Sequence, residues 1–468
     1  MMKKILLYQE LIDYFEKQIR LGDLEPGSRM PSIRKLCHSH KISKSTVLSA
    51  YGYLESQGVI ESRSRSGYFV RTLMANTGQH TTNFSGQSAA PALVTPSQFV
   101  IQLMERGAAF DLIPSNNTEE DNVELRRCLA RACREQTGKE QSYYDSPQGL
   151  VELRDQISRR QKIQGSPVQS QDITITSGCQ NSLLIALMAT TTPGDIVAVE
   201  SPGFYGAIQL IQALGLQILE LPGNPYSGIN IESTSTAFNT WNVKALFLSS
   251  NYSTPTGACL SDADKQALLS LCIQHNVTII EDDIYGELSF ELNRPRTLYS
   301  MDTTGAVILC SSFSKSLSRD LRIGWIASSK HKEAIRRLKV VTTLSVSKTA
   351  QQGLADYMSR GLFERHIRKK RILLANQCKQ LQQLLHDELP AGTSWTSPKG
   401  GLSLWLMLPE HVDTTSLYSK ALEQGVTITP GILFSAQNKY QNCMRISFTH
   451  QWMEERVRAI KILGGLID

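Results

Sequence analysis

Lys315 stands in the stretch SSFSKSLSRDLRIGW, between small hydroxyl residues and seven positions ahead of Arg322. A lysine so placed is either a solvated charge or an amine held against a group that needs a nucleophile. Other chemistry-bearing residues precede it along the chain. TSGCQ, with Gly178, Cys179 and Gln180, joins an apolar run to a helical one, so its N–H groups and the helix dipole suit an anion. SPGFYG places Phe204 on a turn after the next apolar run, and TPTG places Thr254 at a tight turn after another. EDDIYGEL closes a further run with Asp282 and, three residues on, Tyr285.

Taken singly, each residue has a plain structural reading: Asp282 a helix cap, Phe204 core, Arg322 a salt-bridge partner, Lys315 a surface charge. Together, and in this order, they supply the groups that pyridoxal 5′-phosphate (PLP) requires. An amine forms the internal Schiff base, a carboxylate pairs with the protonated pyridine nitrogen, and a phenol donates to the ring hydroxyl. An aromatic face stacks on the ring, while a helix start and a guanidinium bind the phosphate.

The elements that would position these groups are legible in the same region. DITITSG, DIVAVESPG, VKALFLSSN, VTIIEDDIYG and AVILCSSFSK are β-branched apolar runs, and helical stretches such as CQNSLLIALMATT and SDADKQALLSLCIQHN lie between them. That alternation predicts a mostly parallel sheet covered on both faces. GGLSLWLMLP, a helix and CMRISFT predict a smaller α+β unit at the C-terminus.

The chain of 468 residues is long enough for two or three domains, and its composition shifts near Thr72. From there to Ser97 it is rich in Thr, Ser, Gly, Gln and Ala without apolar periodicity, which is a linker composition. The expected divisions are 1–72, a flexible linker over 73–98, and 99–468. Residues 1–72 hold 12 Lys+Arg against 7 Asp+Glu, a difference of +5 out of a net +6 for the whole chain. A basic small domain on a nearly neutral large one points to a nucleic-acid reader. Nine cysteines without paired spacing argue against both a disulfide framework and a metal site. No apolar run is long enough to span a bilayer, and the amphipathic N-terminus lacks a cleavage site, so a cytoplasmic protein is expected.

The basic segment reads as three helices and a hairpin. YQELIDYFEKQIRL, SIRKLCHSH and KSTVLSAYGYLESQG are followed by VIESRSRSGYFV, two short strands around a basic tip. A winged helix-turn-helix has this form. Lys44, Ser45 and Thr46 open the third helix, where a recognition helix meets base edges of double-stranded DNA. Arg34 can hold phosphate, and Arg63 and Arg65 at the wing tip can neutralise the backbone or enter the minor groove. The competing interpretation is a helical dimerisation domain with a solvated basic face.

The PG-x-R-x-PS-x-R-x-L pattern, the S-x-x-T-V turn and helix, LE-x-x-G-x-I and the SG-x-FV wing with Gly67 resemble the DNA-binding domain of GntR-type bacterial regulators. Residues 99–468 resemble fold-type I aminotransferases. That resemblance implies roles: Lys315 carries the cofactor, Ser312 and Arg322 meet its phosphate, and Gly178, Cys179 and Gln180 form the phosphate loop. Asp282 serves the pyridine nitrogen, Tyr285 the ring hydroxyl, and Phe204 the ring face. Tyr144, in YYDSPQG, matches a tyrosine that reaches the partner subunit's phosphate, which implies a homodimer, and Arg445 matches the arginine that receives a substrate α-carboxylate. Thr254 stands where most relatives have an amide, and Ser318-Arg319-Asp320 where they often have a Pro-Gly turn.

The combination is similar to the MocR subfamily of bacterial regulators. It implies a multidomain chain: an α+β winged helix-turn-helix, then an α/β PLP-binding domain with a smaller C-terminal α+β part. The implied function is transcription regulation, with an amine or amino acid effector sensed by aldimine exchange at Lys315 and transaminase activity weak or vestigial. The alternative is a working aminotransferase that carries a DNA-binding module.

Overall fold

The computed structural model describes residues 11–15, 17–19, 23–25, 27–39, 42–56, 59–63, 67–70, 90–91, 111–113, 122–136, 138, 144–291 and 293–467. Arg65 and nearly all of the linker expected at 73–98 lie outside the described residues, and of Arg63 only the backbone is described. The chain divides into two compact units, Met1–Gln79 and His80–Asp468.

In the first unit, helical turns at 11–15 and 17–19 precede α1 (Ile33–Ser39) and α2 (Lys44–Ser56). Both labelled helices begin on a serine. The Ser32 hydroxyl accepts the Lys35 N–H at 3.3 Å, and the Ser43 hydroxyl accepts the Thr46 N–H at 3.2 Å. Such caps satisfy donors that have no intrahelical acceptor. β1 (Ile60–Arg63) and β2 (Gly67–Val70) pair antiparallel, with Ile60 opposite Val70. Leu11, Ile12, Phe15, Leu36, Val47 and Leu54 form the core with these two residues. Tyr51 ties helix to wing: its ring lies edge-on to Phe15 and Tyr68, and its hydroxyl donates to the Pro31 carbonyl at 2.6 Å.

The second unit is built on an eight-stranded sheet. Its strands are β3 (Ile173–Thr176), β4 (Ile196–Ser201), β5 (Gln217–Asn224), β6 (Gly228–Ile229), β7 (Val243–Leu248), β8 (Thr278–Asp282), β9 (Val307–Ser312) and β10 (Gly324–Ala327). They lie in the order β3-β10-β9-β8-β7-β4-β5-β6. From β5 through β4, β7 and β8 to β9 the pairs are parallel, as the alternation of apolar runs and helices requires. β10 runs antiparallel to both β3 and β9.

Successive side chains of a strand point to opposite faces, and β4 shows both cores. Val197 and Val199 pack with Leu183, Leu187 and Ile211 from the helices Cys179–Thr190 and Tyr205–Ala213. Ala198 packs with Phe238, Leu268 and Leu269 from Ile231–Thr240 and Asp262–Gln274 on the other face. Fully burying one such side chain stabilises by about 1.5–3 kcal/mol, so the two layers fix the sheet and the loops at its strand ends.

A 27-residue helix, Leu362–Glu388, leads into a second sheet. Its strands β11 (Ser394–Trp395), β12 (Ser403–Met407), β13 (Thr429–Pro430) and β14 (Cys443–Ser447) lie in the order β11-β12-β14-β13, all antiparallel. With the helices Thr414–Glu423 and Glu454–Ile467 this is the smaller α+β part expected at the C-terminus. No described helix is long and apolar enough to cross a membrane.

Candidate functional site

The loop that carries Lys315 is pinned by register. Ser312, the last residue of β9, lies opposite Gly324, and Gly324 lies opposite Thr176 of β3. The Lys315 loop and the TSGCQ loop therefore meet at one glycine. A Cβ on Gly324 would fall 2.5 Å from the carbonyl carbon of Gly178, so no larger residue fits. Gly178 itself has φ +92°, a conformation L side chains rarely adopt, and a Cβ there would lie 2.9 Å from Arg322 Nη2.

Gly178 also caps the helix Cys179–Thr190, whose first N–H groups have no intrahelical acceptor, a helix start of the kind that suits an anion. Arg322, itself at φ +48°, donates from Nη2 to the Ser177 carbonyl at 3.3 Å. The structure thus brings Gly178, Cys179, Arg322 and Ser312 to one corner. Gln180 donates to the Gly206 carbonyl at 3.0 Å. The Phe204 ring lies over the same glycine, where a Cβ would meet it at 2.5 Å.

Asp282 ends β8 and is buried, and Cys179 Sγ donates to its Oδ1 at 3.2 Å. Burial pushes the Asp282 carboxyl up to about 7; the Cys179 bond opposes that, and the nearby Asp283 adds to it. Burial likewise drives the Lys315 amine well below its ordinary value. Arg319, Arg445 and Arg322 push it the same way, and Asp282 opposes them. Depressed in this way, Lys315 favours the neutral, nucleophilic amine.

Tyr285 is buried, hydrogen bonded to the Thr254 hydroxyl, and within electrostatic range of Arg445. Burial raises its phenol, so it remains a donor. Arg445 is buried on β14 with its guanidinium 5.3 Å from the centroid of the Phe434 ring. Tyr144 is 81% exposed.

These residues fit PLP on their own chemistry. A buried carboxylate beside a second carboxylate is costly without a cation, and a pyridinium supplies one. The close approach of Gly324 to Gly178, and of Gly178 to Arg322, sets a helix start beside a guanidinium, the two groups that suit a phosphate. The Ser314 hydroxyl, adjacent to Lys315, is buried without a hydrogen-bond partner.

Sequence reasoning missed several members of the site. Ser314, Gly206, Gly324 and Phe434 matter only through contacts made across the sheet or between the two sheets. Tyr205, which is within electrostatic range of Tyr285, was overlooked beside Phe204. Its ring centroid lies 5.8 Å from that of Phe434.

In the first unit, Arg34, Lys44 and Ser45 are exposed at α1 and the start of α2. Thr46, expected to face a groove, is 6% exposed, and its hydroxyl lies 2.8 Å from the Ser43 hydroxyl. It is occupied by the helix cap because the third position of α2 turns toward the core beside Val47. Gly67 opens β2 at φ +99°, and a Cβ there would sit 3.7 Å from the Arg29 guanidinium. Arg29 is a further exposed cation at the root of the wing, bridged to Phe69.

Comparison with known proteins agrees with both units. Residues 7–70 match the family "Bacterial regulatory proteins, gntR family", and residues 113–460 match "Aminotransferase class I and II". The HTH-type transcriptional regulator YjiR of Escherichia coli K12 is 36% identical over 470 residues, 98% of either chain. The HTH-type transcriptional regulator NorG of Staphylococcus aureus is 24% identical over 442 residues, 92% of this chain and 98% of its own. Among solved structures, the kynurenine aminotransferase of Pyrococcus horikoshii superposes with a TM-score of 0.72 at 26% identity, covering 80% of this chain and 95% of its own. The fold-type I aminotransferase domain has PLP as its cofactor. The chain belongs to the MocR type of GntR-family transcription regulators, a helix-turn-helix domain joined to a class I and II aminotransferase domain.

Proposed function

We propose that this bacterial, cytoplasmic regulator works as a homodimer that binds operator DNA through its winged helices and senses a small amine or amino acid at Lys315. When bound, PLP supplies an aldehyde that reacts reversibly with amines and a ring that withdraws electrons. Asp282 holds a proton on the ring nitrogen. Tyr285, supported by Thr254, donates to the ring hydroxyl, and Phe204 covers the ring face. The helix start at Gly178–Gln180, with Ser312 and Arg322, binds the phosphate. Tyr144, exposed on one chain, completes the phosphate site of the partner.

Arg445 receives the effector's carboxylate as a bidentate pair. Lys315 would hold PLP through its amine, and a lysine side chain released by an effector amine would be free to move and to take up a proton. A new positive charge among Arg319, Arg322 and Arg445 is unfavourable, so the Ser314–Arg322 loop rearranges. Regulation then requires that effector and DNA each favour different states of the protein.

The observation that carries this reading is the Lys315 amine, depressed by burial and three guanidiniums and opposed by Asp282, in a chain whose other unit reads DNA. A second reading, a working aminotransferase, draws on Arg445 standing buried beside Lys315 and Tyr285. An absorption spectrum of the PLP-loaded protein, repeated with amino acids and on Lys315→Ala, together with DNA mobility shifts, tests both. A visible band lost in the variant, shifted by an amine, with DNA affinity changing in step, supports the sensor. DNA binding by Lys315→Ala that still responds to the same amine overturns it. Steady release of a keto acid at ordinary enzyme rates favours the aminotransferase.

A further inference from the structure

Glu220 of β5 is a buried carboxylate that neither the phosphate corner nor the Lys315 loop uses. Its neighbours Leu219 and Leu221 pack with Phe238, so Glu220 points to the opposite face of the sheet. A carboxylate taken out of water is costly unless donors satisfy it, and each described donor here comes from outside its own strand. The Ser201 hydroxyl of β4 donates to Oε2 at 3.1 Å. The other donors lie on the segment 431–442, which joins β13 to β14 in the second sheet. The Ser435 hydroxyl donates to Oε1 at 2.8 Å, the Ala436 N–H donates to the same oxygen, and Lys439 Nζ lies 3.4 Å from Oε2. The Ser201 proton is engaged by Glu220, so the Tyr440 hydroxyl, 3.0 Å away, donates to Ser201. The backbone adds to the fastening, for the Gly203 N–H donates to the Phe434 carbonyl at 2.9 Å.

The fastened segment carries the surroundings of Arg445. Arg445 stands on β14 between Trp405 of β12 and Thr429 of β13, and β13 runs directly into the short turn Gly431–Phe434. The Phe434 ring lies edge-on to Trp405 with centroids 5.4 Å apart, and the Arg445 guanidinium is 5.3 Å from the Phe434 centroid. A Cβ on Gly431 would fall 2.2 Å from the Tyr440 carbonyl oxygen and 2.7 Å from that of Cys443, so the two ends of the segment meet just ahead of Arg445. Its middle is the part that Glu220 and Ser201 hold.

We propose that Glu220 is a positioning residue for carboxylate recognition: by holding Ser435 and Ala436 to β5 it fixes Phe434, and through Phe434 the direction of the Arg445 guanidinium. The inference rests on the reading of Arg445 as receiver of the effector's carboxylate, and it names what orients that group. A bidentate pair requires the planar guanidinium to be held in one plane. An aromatic ring beside it supplies that only while the ring itself cannot shift. An apolar residue at position 220 would fill the space without directing it. A carboxylate with donors from β4 and from the second sheet instead sets one register between the two sheets.

The test uses the full-length, PLP-loaded protein, titrated with L-alanine, L-norvaline and L-phenylalanine. Ethylamine, butylamine and 2-phenylethylamine, the same molecules without the carboxylate, are titrated in parallel. Absorption changes give each affinity, and hydrogen exchange over residues 431–447 reads the fastening itself. In wild type the amino acid that binds tightest should be favoured over its amine by at least about tenfold, a preference that Arg445→Gln abolishes. Glu220→Ala should lower the preference by about three- to tenfold, and Glu220→Gln should recover part of it because one oxygen still accepts from Ser435 and Ala436. Ser435→Ala leaves the carboxylate bonded to Ser201 and should act in the same direction, which keeps the test open if Glu220→Ala does not fold. Exchange should quicken over the segment in Glu220→Ala and Ser435→Ala. Faster exchange with an unchanged preference would make the fastening structural only and overturn the proposal, as would exchange that does not change. A wild-type preference that survives Arg445→Gln overturns the reading of Arg445 and this inference with it. If none of the amino acids or amines alters the absorption of protein that holds PLP, amine sensing itself fails, and the inference falls with it.

Discussion

Cys179 Sγ donates to Asp282 Oδ1 at 3.2 Å, so the first residue of the helix Cys179–Thr190 also supports the carboxylate that ends β8. The thiol is fully buried, and burial followed by Asp282 and Cys310 raises its pKa well above the ordinary value, which keeps it a donor. Cys179→Ala removes one hydrogen bond to an ionised group, a loss of about 1.5–3 kcal/mol. PLP affinity should fall by about 10- to 100-fold in an equilibrium titration, with Cys179→Ser recovering much of it. Equal affinity in wild type and Cys179→Ala would show that the thiol does not support Asp282.

Asp282 and Glu200 should each contribute a loss of stability to the cofactor-free protein as pH rises from about 4 to about 7. The folded-state pKa of Asp282 is raised to about 7, and that of Glu200 is also raised to about 7, each first by burial. Between the unfolded value and 7 the folded chain binds more protons than the unfolded one, so the slope of stability against pH is negative there. Below that window the cost is absent, and above it the cost is complete. Asp282→Asn should therefore gain on wild type by on the order of 2–4 kcal/mol at pH 8 relative to pH 4. Melting temperatures across this range, with and without PLP, check it. PLP should flatten the wild-type profile and leave Asp282→Asn nearly unchanged.

Arg160 and Glu287 form an ion pair at 2.6 Å with both side chains nearly buried, joined by Gln164 at 2.8 Å. Burial alone would raise the Glu287 carboxyl, but Arg160 and then Arg294 outweigh it and hold it at about 2. Removing Arg160 takes the closest cation from the buried Glu287 carboxylate and leaves it Arg294 at 3.9 Å and Arg371 at 3.8 Å. Arg160→Met should destabilise the large unit by about 3–5 kcal/mol, and Arg160→Met with Glu287→Gln by less. The pair also gives acid sensitivity: its stabilisation is complete above the ordinary glutamate range and is lost as pH falls toward 2. Denaturant unfolding of wild type, Arg160→Met, Glu287→Gln and the double variant at neutral and acid pH decides it. Additive losses in the double variant would mean the two groups do not act as a pair.

The strand-end residues were legible because α/β sheets put function at strand ends, where Asp282 and Ser312 lie. Lys315 follows Ser312 on the same loop. Strand order was not. The insertion of β10 antiparallel between β3 and β9 leaves no periodic trace, although it is what brings Gly324 against Gly178. The sequence placed Thr254 only at a tight turn, and the structure gives it Tyr285 as a partner, a contact between loops 31 positions apart. Thr46 was misread because polar residues at a helix start serve both caps and grooves, and only burial separates them.

That difference between cap and groove yields a separable pair of outcomes on DNA. Arg34 is exposed on α1, and removing one phosphate contact lowers the slope of log K against log salt by about 0.9. Arg34→Ala should therefore bind operator and unrelated DNA more weakly by the same factor, with the slope reduced by that amount. Lys44 and Ser45, exposed at the start of α2, lie where base edges are read. Ser45→Ala should narrow the gap between operator and unrelated DNA, by about 1–3 kcal/mol if it meets a base edge, and leave the slope unchanged. Thr46→Val keeps the buried shape but loses the bond to Ser43, so it should lower the small unit's stability by about 0.5–2 kcal/mol and leave the slope intact. Fluorescence anisotropy on two DNA sequences at four salt concentrations separates these effects. A slope that drops in Thr46→Val would return that residue to the DNA interface despite its burial.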